Sequence, residues 1–432
     1  LIACNEVFME STLSLFSQAF ADKFACPFTG VFQHAIERRL ATISLTANEN
    51  ILSETARTLG QNRFYDRYYF QGEHGEDCLY AAQFNGMQYE NFPEVEALKH
   101  AATEAAKRLF CANYIEFRVL SGVHCTLSMV AALTKPGDTV WALDPACGGH
   151  FATGPLIHRL GRECRYLRLN QNNEFDESYL TSLRAQPPAA IILDHGLANE
   201  MVSAAGLREW LNDNGMAQTL IIYDASHLLG LIAGKALPNP LENGADILQG
   251  NTHKSFPGPH RAIIATLCPH LGKRISEGLE AGMVSSPNLP SLLQMFITLL
   301  EMDNWGEAYA RQMCINAQLL AQQLAGISGW EVLPTHTHKI LLMGERSVEM
   351  ASRFNELGIR VNNKSLNGQP CLRLGVQEIT RLGITSQQLV QLGELMRQIL
   401  LREETAALPL RIEALAKQLN LVHYSFDSGK KS

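Results

Sequence analysis

The sequence predicts an α/β fold, with a large domain built on a mostly parallel central sheet and a smaller C-terminal α+β domain. Three observations predict it. Short unbroken apolar runs at 139–143, 189–193, 219–223 and 262–267 read as strands covered on both faces. Helical patterns alternate with these runs, as crossovers between parallel strands require. Beyond residue 304 the pattern changes to a long helical stretch followed by a shorter mixed segment. The division this implies is an N-terminal arm at 1–60, a large domain at 61–304 and a small domain at 305–432.

Along the arm, Leu13, Phe16, Phe20 and Phe24 recur at helical spacing and are expected to pack on a partner subunit. Between Gly60 and Pro93 the chain is aromatic and glycine-rich with little periodicity, and loops of that length are usually functional. Pro93 opens a helix that reaches Phe110. Leu120-Ser121-Gly122-Val123-His124 leads into a helical run at Cys125–Leu133, and a Ser-Gly turn feeding a helix N-terminus offers amides and a positive dipole end to a phosphate. After the run Ala245 to Gly250 comes Asn251-Thr252-His253-Lys254 and a Pro/Gly loop. The small domain shows strand patterns at Lys339–Met343 and Cys371–Leu374.

Composition narrows the function. The 432 residues, 46% hydrophobic and 18% charged, suffice for two domains with a sizeable core. A net charge of −7 gives no general attraction to nucleic acid or anionic membrane. The ten cysteines are scattered without a Cys-x-x-Cys pair, as expected of reduced thiols in a cytoplasmic protein. No metal site is expected: His336 and His338 share one face of a strand-like run but lack a nearby third ligand. No apolar run approaches the ~20 residues that span a bilayer. The opening segment, with acids at Glu6 and Glu10, does not look like a secretion signal.

The chemistry concentrates at strand ends. Lys254 sits between a strand and a Pro/Gly loop, and a lysine stripped of water becomes a nucleophile that a carbonyl partner can trap as an imine. Pyridoxal phosphate is the commonest such partner. Upstream, the buried run Thr219–Tyr223 ends in Asp224, which could keep a pyridine nitrogen protonated, an effect of roughly 1–3 pKa units. His227, three residues on, is placed to hydrogen-bond the cofactor's phenolic oxygen.

These residues, with Thr46-Ala47-Asn48-Glu49-Asn50, Gly148-Gly149-His150-Phe151-Ala152-Thr153-Gly154, Gly258-Pro259, Leu372-Arg373-Leu374-Gly375 and Ile379-Thr380-Arg381, resemble serine hydroxymethyltransferase from about Phe32 to Leu382. The resemblance implies a fold type I pyridoxal-phosphate enzyme. It places the cofactor's phosphate at Ser121, Gly122 and Val123, with Val123 standing where the family has a second serine. It makes Thr252 a cofactor contact, His150 the ring-stacking histidine and Lys254 the imine-forming catalytic lysine. Arg373 grips the substrate carboxylate, with Asn48 and Tyr65 also on the substrate. It further implies a homodimer, or a pair of dimers, with sites at the interface.

The departures concern folate. The family's Tyr-x-Glu pair has no clear counterpart. Aligned on Asn62, Phe64 replaces the tyrosine and Asp66 the glutamate; aligned on Arg67-Tyr68-Tyr69, the acid is deleted. Asp66 is taken as the acid–base group. The family's Ser-Ala-Tyr is Gly196-Leu197-Ala198, its partner-donated phosphate loop is Ser285 to Pro290, and its arginine after Gly258-Pro259 is His260, with Arg261 one place late. The expected activity is therefore making or breaking the Cα–Cβ bond of a β-hydroxy-α-amino acid with an aldehyde, as an aldolase or transaldolase without tetrahydrofolate. The alternatives are folate-dependent hydroxymethyl transfer, action on another Cα bond (transamination, racemisation or β-replacement), and a non-catalytic binding module.

Overall fold

Apolar runs bounded by turn residues form the central sheet of the computed structural model, which describes residues 29–61, 63–69, 81–84, 87–90, 92–170, 174–197 and 200–429. The arm residues Leu13, Phe16, Phe20 and Phe24 lie outside the described residues, as do Asn62 and residues 70–80. The sheet comprises β1 (Tyr114–Glu116), β2 (Thr139–Leu143), β3 (Glu163–Leu167), β4 (Ala190–Leu193), β5 (Leu220–Asp224), β6 (Ile247–Asn251) and β7 (Ala262–Thr266). Their order is β1-β7-β6-β5-β4-β2-β3. β7 runs against both of its neighbours, and the other pairs are parallel.

Every residue of β4 and β7 is buried, which is why these strands read as continuous apolar runs. Ile191, Ile221 and Leu248 pack on one face with Ala102, Ala106 and Phe110 of helix α1 (Pro93–Phe110). Ile192, Ile222 and Ile247 pack on the other with Met129 and Val130 of α2 (Gly122–Leu133). α1 starts with Pro93 at its first turn, as the sequence predicts, and ends at Cys111 in the left-handed region with φ 48°.

The long helix begins at Leu289 rather than near Asn304: Leu289–Leu324 is continuous over 36 residues and is capped by the Asn288 side chain on the Ser291 amide. Its first half is buried nearly all round, with Leu292, Leu293, Met295, Phe296, Thr298 and Leu299 all covered, so it lacks the polar stripe that reveals an amphipathic helix. Residues up to Met313 pack in the core beside the sheet, whereas Ala317, Leu320 and Leu324 belong to a second core. The 304/305 division thus falls inside a helix shared by both cores.

The second core underlies an antiparallel sheet of β8 (Glu331–Val332), β9 (Lys339–Met343), β10 (Asn362–Leu366) and β11 (Gln369–Gly375), in the order β8-β9-β11-β10. It also takes in Ile43 and Leu45, and Ile43–Ser44 pairs in parallel with Ile359–Arg360. The two parts are pinned by a fully buried ion pair, Arg381 to Glu301 at 2.6 Å. Removing one partner of such a pair would leave an uncompensated charge at a cost of roughly 3–5 kcal/mol. His336 and His338 precede β9 and do not share a chelating face: His336 is exposed and faces Glu200 at 3.1 Å, while His338 is buried.

Candidate functional site

The carboxyl ends of β4, β5 and β6 open on a cleft of about 490 Å³. Its wall carries Lys254, Asp224, His227 and His150, together with Gly122 and Val123 at the start of α2. Ligand sites at this edge of an open α/β sheet follow from topology, because the strands diverge there and leave a crevice.

Lys254 Nζ lies 3.2 Å from His227 Nε2. Burial pushes the lysine pKa down to about 8, with Arg373 and Lys364 pushing the same way and Asp224 opposing. A useful share of its amine is therefore neutral near physiological pH, which nucleophilic attack requires. Burial holds His227 well below the ordinary histidine value, helped by Lys254 and Arg373, so its ring is neutral; its Nδ1 has no hydrogen-bond partner. The Lys254 backbone is anchored by Asn50, whose Nδ2 donates to the Lys254 carbonyl at 2.7 Å and to the Tyr309 hydroxyl at 2.9 Å. Tyr309 in turn donates to the Gln377 carbonyl at 2.8 Å, tying the lysine loop to both cores.

Asp224 Oδ1 accepts from the Ser226 amide at 2.8 Å, and Oδ2 accepts from Gln249 Nε2 at 2.9 Å. His150 follows a glycine turn packed against the end of β2. A side chain at Gly149 would place its Cβ 2.2 Å from the Leu143 carbonyl oxygen, so only glycine lets His150 reach this wall. Burial lowers the His150 pKa, with Asp224 opposing.

Ser121 caps α2, its Oγ accepting from the His124 amide at 3.2 Å. The Gly122 amide donates to Asn251 Oδ1 at 2.7 Å, which fixes the helix start to the end of β6. A Cβ on Gly122 would meet Asn251 Nδ2 at 2.8 Å. Val123 is 47% exposed at the lip. Thr252, expected as a cofactor contact, is instead fully buried and donates to the Pro259 carbonyl at 2.7 Å, shaping the loop that presents Lys254. Arg261 is spent on the Phe117 carbonyl at 2.7 Å and Ser291 Oγ at 3.0 Å.

Arg373, on β11, is 3% exposed, yet among the described residues no carboxylate pairs with it. Its Nη2 donates to Asn48 Oδ1 at 2.6 Å and to Asn362 Oδ1 at 3.4 Å, and its Nε has no partner among the described residues. Burial brings its pKa down to about 10. A buried guanidinium held only by amide oxygens is a site for an incoming carboxylate, which would supply both the counter-charge and the missing acceptor.

Asp66 is exposed at the end of a short turn, Arg63–Asp66, and does not line the cleft, so the structure does not bring it to Lys254 within one chain. The Tyr65 side chain lies outside the described residues.

Three residues that sequence reasoning passed over belong to this region. Asp194 and His195 line the cleft, and Lys339, fully buried, donates from Nζ to the Gly196 carbonyl at 3.3 Å. The signal was present: Ile191-Ile192-Leu193-Asp194 repeats the pattern of Ile221-Ile222-Tyr223-Asp224.

These groups fit pyridoxal phosphate. A partly neutral lysine amine, a carboxylate at a strand end, an imidazole nitrogen on His227 unpartnered among the described residues and the positive end of a 12-residue helix converge on one cleft.

Comparison with known proteins agrees. The family model described as serine hydroxymethyltransferase matches residues 25–396. A serine hydroxymethyltransferase of Archaeoglobus fulgidus is 32% identical over 415 residues, covering 90% of each chain. An L-threonine:uridine-5'-aldehyde transaldolase of a Streptomyces species is 33% identical over 371 residues, covering 82% of this chain and 86% of that one. The crystal structure of L-threonine transaldolase from Pseudomonas fluorescens superimposes with a TM-score of 0.84 at 25% identity, over 94% of both chains.

Proposed function

Because the chain belongs to the serine hydroxymethyltransferase family, we propose that it makes or breaks the Cα–Cβ bond of a β-hydroxy-α-amino acid as a pyridoxal-phosphate-dependent aldolase or transaldolase that needs no folate. The observation that carries the reading is a partly neutral lysine amine in the cleft and, near enough to help lower its pKa, a buried guanidinium with no counter-charge among the described residues. The likeness to threonine transaldolases supports the folate-independent form.

When bound, pyridoxal phosphate supplies an electron sink for negative charge developing at Cα of an amino acid. The chain's own residues do the rest. Arg373 takes the substrate carboxylate in a two-pronged grip, each charged hydrogen bond contributing about 1.5–3 kcal/mol, and so orients the amino acid in the cleft. Asn48, already on Arg373 Nη2, holds the guanidinium plane in place. Asp224 and His150, both on the cleft wall, would hold the cofactor, Asp224 by pairing with a protonated ring nitrogen and His150 by lying against the ring. Lys254 Nζ takes or returns a proton at the substrate, with the neutral His227 Nε2 at 3.2 Å to share it.

The test is direct. Enzyme, L-threonine and a second aldehyde, without folate, are expected to yield acetaldehyde and a new β-hydroxy-α-amino acid. A requirement for tetrahydrofolate would instead support hydroxymethyl transfer, which the name of the Archaeoglobus relative favours. A keto-acid product would point to transamination.

In this reading the enzyme works in the cytoplasm as a homodimer, and the site is completed by Asp66 of the partner subunit, an exposed acid with no role in its own chain's cleft. A mixture of Lys254→Ala and Asp66→Asn chains, unfolded and refolded together, checks this. Each mixed dimer holds one intact site and one doubly altered site, so about a quarter of the parent activity returns. No recovery above the separate variants would rule out a shared site.

A further inference from the structure

Asp194 has no part in the activity described so far, and its position relative to Asp224 is set by the sheet. In the parallel pair β4 and β5, Ile192 lies opposite Ile222 and Leu193 opposite Tyr223, so the next residues, Asp194 and Asp224, end adjacent strands side by side. Ile192 and Ile222 share one core, and alternation along a strand therefore points both aspartates to that same face. Neighbouring strands are ~4.8 Å apart. Carboxyl groups that leave adjacent strand ends toward the same face repel one another when both are ionised, which favours one of them keeping its proton.

Their hydrogen bonds differ. Asp224 has a donor for each oxygen, the Ser226 amide and Gln249 Nε2. Asp194 is 4% exposed; its Oδ2 accepts from the Thr153 hydroxyl, at the start of helix Thr153–Arg159, and its Oδ1 has no side-chain partner among the described residues. We propose that Asp194 and Asp224 act as a carboxyl pair in which Asp194 is the protonated member, donating from Oδ1 into the cleft and positioning the ring that Asp224 faces. Burial, with the Asp224 charge adding to it, pushes the Asp194 pKa up to about 7, against the hydroxyl of Thr153 and the backbone amides of His150 and Asp194. The other titratable groups around it are Cys164 and Tyr166 on β3, whose own values its charge raises, and the cleft residues His150 and His195. None of the four is a cation at neutral pH, since burial holds both histidines below their ordinary value. Asp194 is thus a positioning residue, and this inference rests on the reading that a pyridoxal ring occupies the cleft.

The experiment follows the visible absorption of the reconstituted holoenzyme from pH 5.5 to 8.5. In the parent, the band is expected to shift through a single transition near pH 7 as Asp194 loses its proton and its donated bond. Asp194→Asn, which keeps a donor but cannot ionise, is expected to bind cofactor and to lack the transition. Thr153→Val, which removes the donor that stabilises the ionised form, is expected to move the transition to higher pH. An unchanged transition in Asp194→Asn overturns the proposal while leaving the cofactor reading intact. Absence of any visible band in the reconstituted parent overturns the cofactor reading, and this proposal with it.

Discussion

Lys254→Ala is expected to abolish covalent attachment of the cofactor and to lower turnover by about a thousandfold. The size of the effect follows from the two tasks of one atom. Nζ is the attachment point, and it is also the amine, depressed to about 8, that exchanges a proton with the substrate next to His227. Lys254→Arg should not rescue either task, because a guanidinium stays protonated and is a poor nucleophile. The fold should survive both changes: the side chain's hydrogen bond is to His227, and the structural bond in this loop runs from Asn50 to the backbone carbonyl, which alanine retains. Borohydride reduction followed by peptide mass measurement checks the attachment, and single-turnover kinetics check the rate. An alanine variant that handled its amino acid as well as the parent would end the account of both cofactor and reaction.

Arg373→Met is expected to raise KM for the amino acid by roughly a hundredfold or more while leaving thermal stability equal or improved. Losing two charged hydrogen bonds of about 1.5–3 kcal/mol each accounts for the first effect. The second separates a binding role from a structural one. In the absence of substrate Arg373 is a buried cation satisfied only by amide oxygens, with Nε unpartnered, so an apolar residue of similar length removes a desolvated charge rather than a supporting contact. Arg373→Lys should recover little affinity, because an ammonium cannot reproduce the planar fork that meets a carboxylate at two points. Steady-state KM and kcat, measured beside the melting temperature, decide it; a marked fall in melting temperature with KM unchanged would make Arg373 a structural residue.

The large-domain elements were legible where local signals were strong. Pro93 and the Ala- and Glu-rich run behind it define α1, and the apolar residues of β2 define that strand to the residue. The beginning of the Leu289–Leu324 helix was not legible, because a segment buried on all sides shows no period for amphipathicity to reveal. At the site, Lys254, Asp224 and His227 could be picked out because each follows directly from a strand end. The place of Thr252 was not legible for the opposite reason: its buried hydroxyl donates to the Pro259 carbonyl in a turn that motif spacing does not describe. For Asp66 the sequence offers only its chemical type, and the fold leaves it at the surface of its own chain.

What the amino-acid order determined by itself was the set of strands, the chemical type of each residue at their ends, and thereby the cofactor those residues suit. These are local properties, since they depend on hydrophobic period and on neighbours a few residues away. Which strand ends lie beside one another was decided only in three dimensions. Sheet order brings Asp194 next to Asp224, and the tertiary fold buries Arg373 with no counter-ion among the described residues and seats Lys339 on the Gly196 carbonyl. Such pairings join residues far apart in the chain, and their energies arise from burial and charge proximity, which exist only once the layers have closed.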